Sequence, residues 1–260
     1  MVKLMGEGTV SLKILGFILL PITMLGSEML AEETLSRYEF LSSQNFEGIG
    51  KSYMGREIAH VMHYQGADWL ERPERDQEEQ SSLLLDLLEL KEGYWVADIG
   101  AGSGYFSLPI ARLLGVDGRL LAVDIQPEML HLIRGKAKRL TINNIDLILA
   151  SVMEPRLPEE SLDLVLMVDV YHEFSHPWEM MVKICRALKT GGRVVFVEYR
   201  GEDPSIPIKP LHKMTEIQVL REMFPHPLKW LKTLHVLPRQ HVIFFEKIVS
   251  RNTFSVESPQ

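Results

Sequence analysis

One cysteine, Cys185, stands in 260 residues. A lone thiol cannot close an intrachain disulfide, and sites built from several cysteines, whether zinc or iron–sulfur, are excluded with it. Its place in the apolar-periodic stretch 180–188 reads as a buried helix position. Basic residues are in the minority too: 28 Lys and Arg against 35 Asp and Glu leave a net charge of −7. That balance argues against broad nucleic-acid binding through phosphate neutralisation. Long apolar runs are missing as well. The run 14–25 has 12 residues, where a bilayer span takes about 20. Internal repeats and low-complexity segments are absent.

What is present divides the chain into four parts. Lys3 and Lys13 precede the apolar run, and Gly26, Ser27 and Ala31 follow it. Residues 1–31 therefore read as a signal peptide or membrane-anchor-like segment, giving an exported or membrane-associated protein; the alternative is a packing helix on a cytoplasmic one. Residues 32–80 are polar and lack strand alternation, so they read as a helical lid or extension. Residues 81–249 hold the main domain, and 250–260 a polar tail. With 46% hydrophobic residues the chain can bury a full core.

The main domain alternates short apolar runs with helical periodicity. Strands are expected at 96–99, 120–123, 146–149, 162–168 and 193–198, and helices at 80–90, 106–114, 127–140, 177–189 and 215–223. This rhythm predicts right-handed βαβ units and a parallel sheet. Residues 231–237 and 241–248, around Pro238-Arg239-Gln240, read as a hairpin-like closing pair.

The first strand runs into Asp98-Ile99-Gly100-Ala101-Gly102-Ser103-Gly104. Glycines after a buried strand let the backbone approach a ligand without a Cβ in the way. Tyr105 weakens the dinucleotide fingerprint, whose third glycine falls there. Asp124 ends the second strand about 20 residues on, where a carboxylate can accept two hydrogen bonds from vicinal ribose hydroxyls. The plainer reading of Asp124 is a solvated strand-end or capping residue ahead of Pro127.

This pattern, with Asp124 and the Lys189-Thr190-Gly191-Gly192-Arg193 turn, resembles the class I S-adenosylmethionine-dependent methyltransferases over residues 83–248. The resemblance implies a seven-stranded, mostly parallel Rossmann-like doubly wound α/β sheet with an antiparallel last strand. It implies S-adenosyl-L-methionine as cofactor and S-adenosyl-L-homocysteine as product. Asp98, Gly100, Ala101, Gly102 and Gly104 would line the methionine end, with Asp169 facing it, and Asp124 and Ile125 the ribose. Family members often carry an acid at position 151; here Ser151 and the Val152 backbone would meet the adenine, or Glu154 reach back.

After the fourth strand come Asp169-Val170-Tyr171-His172-Glu173-Phe174, which in that layout face the transferred methyl. His172 is the first candidate for a base, with Glu173, Asp169 and Tyr171 orienting it or the acceptor. The plainer reading of His172 is a packing or capping residue. The segment lacks the Asn/Asp-Pro-Pro-Tyr sequence of enzymes that methylate amino groups of bases or glutamine. His172-Glu173-Phe174-Ser175-His176 also matches the H-E-x-x-H zinc-protease pattern, which needs both histidines on one helix face. Pro177 disfavours that geometry, and no metal is expected. His60 and His63 lack a third ligand.

Trp69 and Tyr64 are candidates to cover the site, and Arg56 or Arg72 to pair with a ligand carboxylate. Glu198-Tyr199-Arg200 faces the mouth, and 202–213 walls the acceptor side. The expected function is methyl transfer to an unidentified small-molecule acceptor. The alternatives are a catalytically inactive cofactor-binding module and a zinc protease.

Overall fold

The computed structural model describes residues 37–43 and 45–249. The expected signal or anchor segment and the polar tail lie outside these. The chain divides after residue 38, and a second compact unit begins at Glu39.

A small sheet of β1 (Tyr38–Phe40), β2 (Gly48–Tyr53) and β3 (Arg56–Ala59) comes first. After a 3-10 turn at Tyr64–Gly66 follow α1 (Ala67–Leu70), α2 (Arg75–Glu79) and α3 (Ser81–Leu87). The extension thus differs from the helices and loops its composition predicts. Residues 48–59 form an antiparallel hairpin closed by Met54 and Gly55, both at positive φ. Three glycines and four charged residues between 47 and 57 hide the apolar alternation that marks a strand.

The main sheet contains β4 (Trp95–Ile99), β5 (Arg119–Asp124), β6 (Ile145–Leu149), β7 (Leu162–Val168), β8 (Leu188–Tyr199), β9 (Leu228–Leu234) and β10 (Gln240–Lys247). Their order is β6-β5-β4-β7-β8-β10-β9. The first five are parallel, and β10 runs antiparallel to both β8 and β9. Strand order reverses between β4 and β7, which places a crevice at the carboxyl ends there.

Side-chain period two sends alternate residues to opposite faces. Val96, Leu120, Leu164, Val195 and Phe244 bury one face against α3, α4 (Ser107–Leu113) and α5 (Pro127–Arg139). Ala97, Leu121, Val165, Phe196 and Phe245 bury the other against α6 (Pro177–Ala187) and α7 (Glu216–Met223). Both sides being covered, the central strands read as near-continuous apolar runs. Pro127 and Pro177 open their helices, and Lys136, Lys138 and Arg139 end α5 where cations oppose the helix dipole. Thr215 caps α7 by accepting the Gln218 N–H at 3.2 Å.

Buried charge fastens the hairpin to this core. Arg56 Nε and Nη2 donate to the two Glu222 oxygens at 2.8 and 3.0 Å, and Nη1 donates to the His172 carbonyl at 3.0 Å. The Glu222 side chain is fully buried. Glu222→Ala would strand the guanidinium, so a loss of roughly 3–5 kcal/mol in urea unfolding is expected. Arg56→Met/Glu222→Leu together should recover most of it; equal losses in the single and double variants would refute the pairing.

Candidate active site

The carboxyl ends of β4, β5, β7 and β8 open into one cavity of about 500 Å³, within the range of small-molecule sites. Gly100 (φ +69°) and Gly102 (φ +53°) line it in left-handed conformations. A Cβ on Gly100 would lie 2.3 Å from Val170, and one on Gly102 2.8 Å from Leu70. The backbone favours glycine at both positions, and at Gly100 the Val170 side chain also leaves no room for a Cβ. Gly104 (φ +83°) shares the left-handed backbone but lies away from the cavity: a Cβ there would fall 2.9 Å from Ile133, so its absence lets the loop pack on α5.

Asp124 stands at the tip of β5 beside this loop. Its Oδ2 accepts the Gly102 N–H at 2.9 Å and its Oδ1 the Gln126 N–H at 2.8 Å. Burial raises its pKa against the lowering effect of these backbone donors, with Glu173 adding repulsion. Asp124 also lines the cavity, and a carboxylate can accept more hydrogen bonds than these two. Ile125, Ser151 and Val152 line the same wall.

Asp98, Ala101 and Gly104, expected along the ligand, do not line the cavity. Asp98 turns into the core, where Oδ2 accepts the Ser107 hydroxyl at 2.5 Å. Asp169 does line it, from a left-handed backbone (φ +49°). Its Oδ2 accepts from Gln240 Nε2 at 2.7 Å, while buried Oδ1 has no protein partner. Burial, then Glu79 and Glu198, push the Asp169 pKa well above the ordinary carboxylate range.

Across the cavity, the 3-10 turn Tyr171–Glu173 presents His172 and Glu173. His172 Nδ1 lies 2.6 Å from Glu198 Oε2, and Glu198 Oε1 accepts the Tyr171 N–H at 3.1 Å. Burial acts to lower the His172 pKa, but the Glu198 carboxylate outweighs it and the net shift is upward. His172 Nε2 faces His212 Nδ1 at 3.2 Å. Glu173 Oε1 accepts the Met62 N–H at 3.1 Å. Tyr171 is not in the site: its ring packs against Phe174 and Phe196 in the core. His176 does not converge with His172 either. It precedes α6 with Nδ1 2.9 Å from Ser175 Oγ, so the H-E-x-x-H spacing forms no helical pair.

The extension covers the cavity by other contacts than its arginines suggest. Arg56 is committed to Glu222, and Arg72 to Glu78 and Glu79 while stacking on Trp69 at 3.9 Å. Neither is free for a ligand carboxylate. Trp69 and His60 line the cavity, whereas Tyr64 and His63 do not. Gln126 is the tie: Oε1 accepts the Tyr64 N–H at 2.8 Å and Nε2 donates to the Met62 carbonyl at 2.9 Å. Gln126, Met62 and His212 carry no spacing signal; their roles appear only when three distant segments meet.

Burial lifts the Asp98 pKa from the ordinary 3.8 to about 6, with the Ser107 hydroxyl opposing and Asp124 reinforcing. Folded Asp98 therefore holds its proton where the unfolded residue has lost it. The linked stabilisation is complete below about pH 4 and disappears as pH rises through about 6. Asp98→Asn should gain urea stability over the parent across that window, and a pH-independent difference would show Asp98 ionised in the fold.

A methyltransferase-domain family model matches residues 96–192. A demethylmenaquinone methyltransferase of Listeria welshimeri is 26% identical over 123 residues, covering 47% of this chain and 51% of that protein. A methyltransferase-like protein of Schizosaccharomyces pombe is 34% identical over 112 residues, covering 43% and 40%. The chain thus spans about half the length of the first of these relatives and less of the second. A SAM-dependent methyltransferase structure from Aquifex aeolicus superposes with a TM-score of 0.68 at 20% identity, covering 72% of this chain and 100% of that one. The structural likeness is one of fold.

Proposed function

We propose that this chain, which carries a class I S-adenosylmethionine-dependent methyltransferase domain, methylates a small organic acceptor whose nucleophilic atom bears a proton. The observation that carries the reading is a single cavity with the glycine loop and Asp124 at one end and the His172–Glu198 pair at the other. The residues fit the cofactor. Asp124 keeps acceptor sites for a vicinal diol, and the unpartnered Asp169 Oδ1 suits a cationic amino group. Ser151 and Val152 would meet the base, Gly100 and Gly102 the amino-acid end.

S-adenosylmethionine supplies an electrophilic methyl group on a sulfonium. The protein's own part is alignment and exclusion of water, which can provide much of the rate of an in-line displacement. Val170, Leu70 and Trp69 dry the cavity, and the extension closes it through Gln126. His172, held by Glu198, is assigned the removal of the acceptor's proton. Apart from Arg75, Asp124, Asp169, Glu173, Lys209 and three histidines, the lining is uncharged. With relatives named for demethylmenaquinone and for ubiquinone and menaquinone C-methylation, this supports hydroxylated aromatic or quinol-like acceptors first. Export or membrane attachment through residues 1–31 belongs to the same proposal and would bring the enzyme to an apolar acceptor.

Calorimetry with S-adenosylmethionine and S-adenosylhomocysteine tests the reading. Both should bind, and Asp124→Ala should weaken them about 10- to 100-fold with the fold kept, as expected for hydrogen bonds to a charged group. His172→Ala should bind the cofactor almost normally while lowering turnover of a phenol and quinol panel about 100-fold or more. Absence of cofactor binding to the parent protein would end the proposal, and an unaltered His172→Ala rate would remove that residue from it.

A further inference from the structure

Three electron-pair donors converge at the acceptor end of the cavity. His172 Nε2 lies 3.2 Å from His212 Nδ1, and Glu173 Oε1 lies 3.6 Å from His212 Nδ1 and 4.0 Å from His172 Nε2. The circumradius of a triangle with these sides is about 2.1 Å, the length of a zinc–imidazole or zinc–carboxylate bond. A single ion at the centre would reach all three without backbone movement.

Hydrogen bonding does not account for this convergence. Glu198 takes His172 Nδ1, so Nε2 is the ring nitrogen that faces His212. The two rings share a single contact at 3.2 Å. Glu173 Oε1 is beyond hydrogen-bond reach of either ring nitrogen. All three residues line the cavity.

Two of the three donor residues, His172 and Glu173, are also held by neighbours. Glu198 fixes the His172 ring, the Met62 N–H fixes Glu173 Oε1, and Arg56 holds the His172 carbonyl. A carboxylate on the far nitrogen of a histidine is the usual support of a metal-bound imidazole. Two imidazoles and one carboxylate suit divalent zinc, iron, cobalt or nickel better than magnesium.

We infer that His172, Glu173 and His212 form a binding site for one divalent transition-metal ion, with its open positions facing the acceptor end of the cavity. The role of the site, though not its existence, rests on the methyltransferase reading. An acceptor hydroxyl oxygen held by the cation loses its proton to water more readily. The oxygen lone pair then forms the new O–C bond as the C–S bond breaks, and the sulfonium leaves as a neutral thioether. As a ligand His172 would have no free ring nitrogen to take that proton, so its part in the removal would be to hold the cation. The trio also replaces the H-E-x-x-H pattern: His212 takes the place that spacing gives to His176.

The test uses the full chain stripped with a chelator, desalted, and titrated with zinc chloride by calorimetry and with cobalt(II) by visible absorption. One ion per chain should bind, and His212→Ala and Glu173→Gln should each weaken zinc at least about tenfold and change the cobalt spectrum. His212 is partly exposed, so its replacement should leave the far-UV circular dichroism unchanged. His176→Ala should retain parental affinity. No saturable zinc binding, unchanged affinity in His212→Ala, or loss in His176→Ala alone would overturn the site. S-adenosylhomocysteine titrated into the same metal-free samples keeps the two readings apart. Cofactor binding without zinc binding defeats the metal site only, and zinc binding without cofactor binding defeats the methyltransferase reading only.

Discussion

The carboxylate of Asp124 is the contact on which the cavity depends. One oxygen takes the Gly102 N–H and the other the Gln126 N–H, so the glycine loop and the start of α5 are set by one side chain. Gln126 passes the constraint on, because both ends of its amide hold the backbone of residues 62–64. Loop, strand tip and covering segment are therefore one hydrogen-bonded unit. A change at the tip of β5 would be felt by the roof of the site as well as its floor, and a ligand seated at Asp124 would stiffen both.

Negative charge is concentrated around this unit to a degree that stability alone does not favour. Asp98, Asp124, Glu79 and Glu198 are buried and Asp169 is largely enclosed, whereas the nearby guanidiniums of Arg72 and Arg75 are both spent on Glu79. Burial and mutual repulsion raise the pKa of Asp98, Asp124 and Asp169 alike. Buried carboxylates in excess of their counterions disfavour the fold unless protonated or met by a cation. A ligand carrying a sulfonium and an ammonium relieves that imbalance, and an anionic ligand would deepen it. The electrostatics of the cavity thus favour the same kind of ligand as its glycine loop.

The main sheet was legible because its signals are local. Every strand from β4 to β8 contains an apolar run, although β8 starts at Leu188, through the expected turn at 189–192, and Pro127 and Pro177 mark helix starts that the structure places at those residues. Gly100, Gly102, Asp124, His172 and Glu173 were likewise legible, since they sit directly after strands at the edge where open α/β sheets hold ligands. What was hidden depends on pairing between distant segments. The hairpin at 48–59 lacks alternation because its strands are short and rich in glycine and charge. Arg56 and Arg72 look like free cations in sequence, yet Glu222 lies 166 residues from Arg56. Asp98 is expected at the ligand from the resemblance of its glycine motif, but its side chain turns to Ser107.

The histidines show how a motif can be right in its residues and wrong in its partner. H-E-x-x-H converges only if four residues make one helical turn, and here a strand delivers His172 into a 3-10 turn while Pro177 starts a new helix after His176. The backbone therefore separates the pair the spacing suggests. It brings His212 in instead, on a short turn opened by Pro210 within the proline-rich loop after β8. Glu198, at the end of that same strand, fixes the ring that His212 faces. One βloop unit thus supplies both the partner behind His172 and the partner in front of it. The chemical identity of this end of the cavity is set by the crossing of the β7 and β8 exits, a relation of neighbouring parallel strands that a linear motif cannot encode.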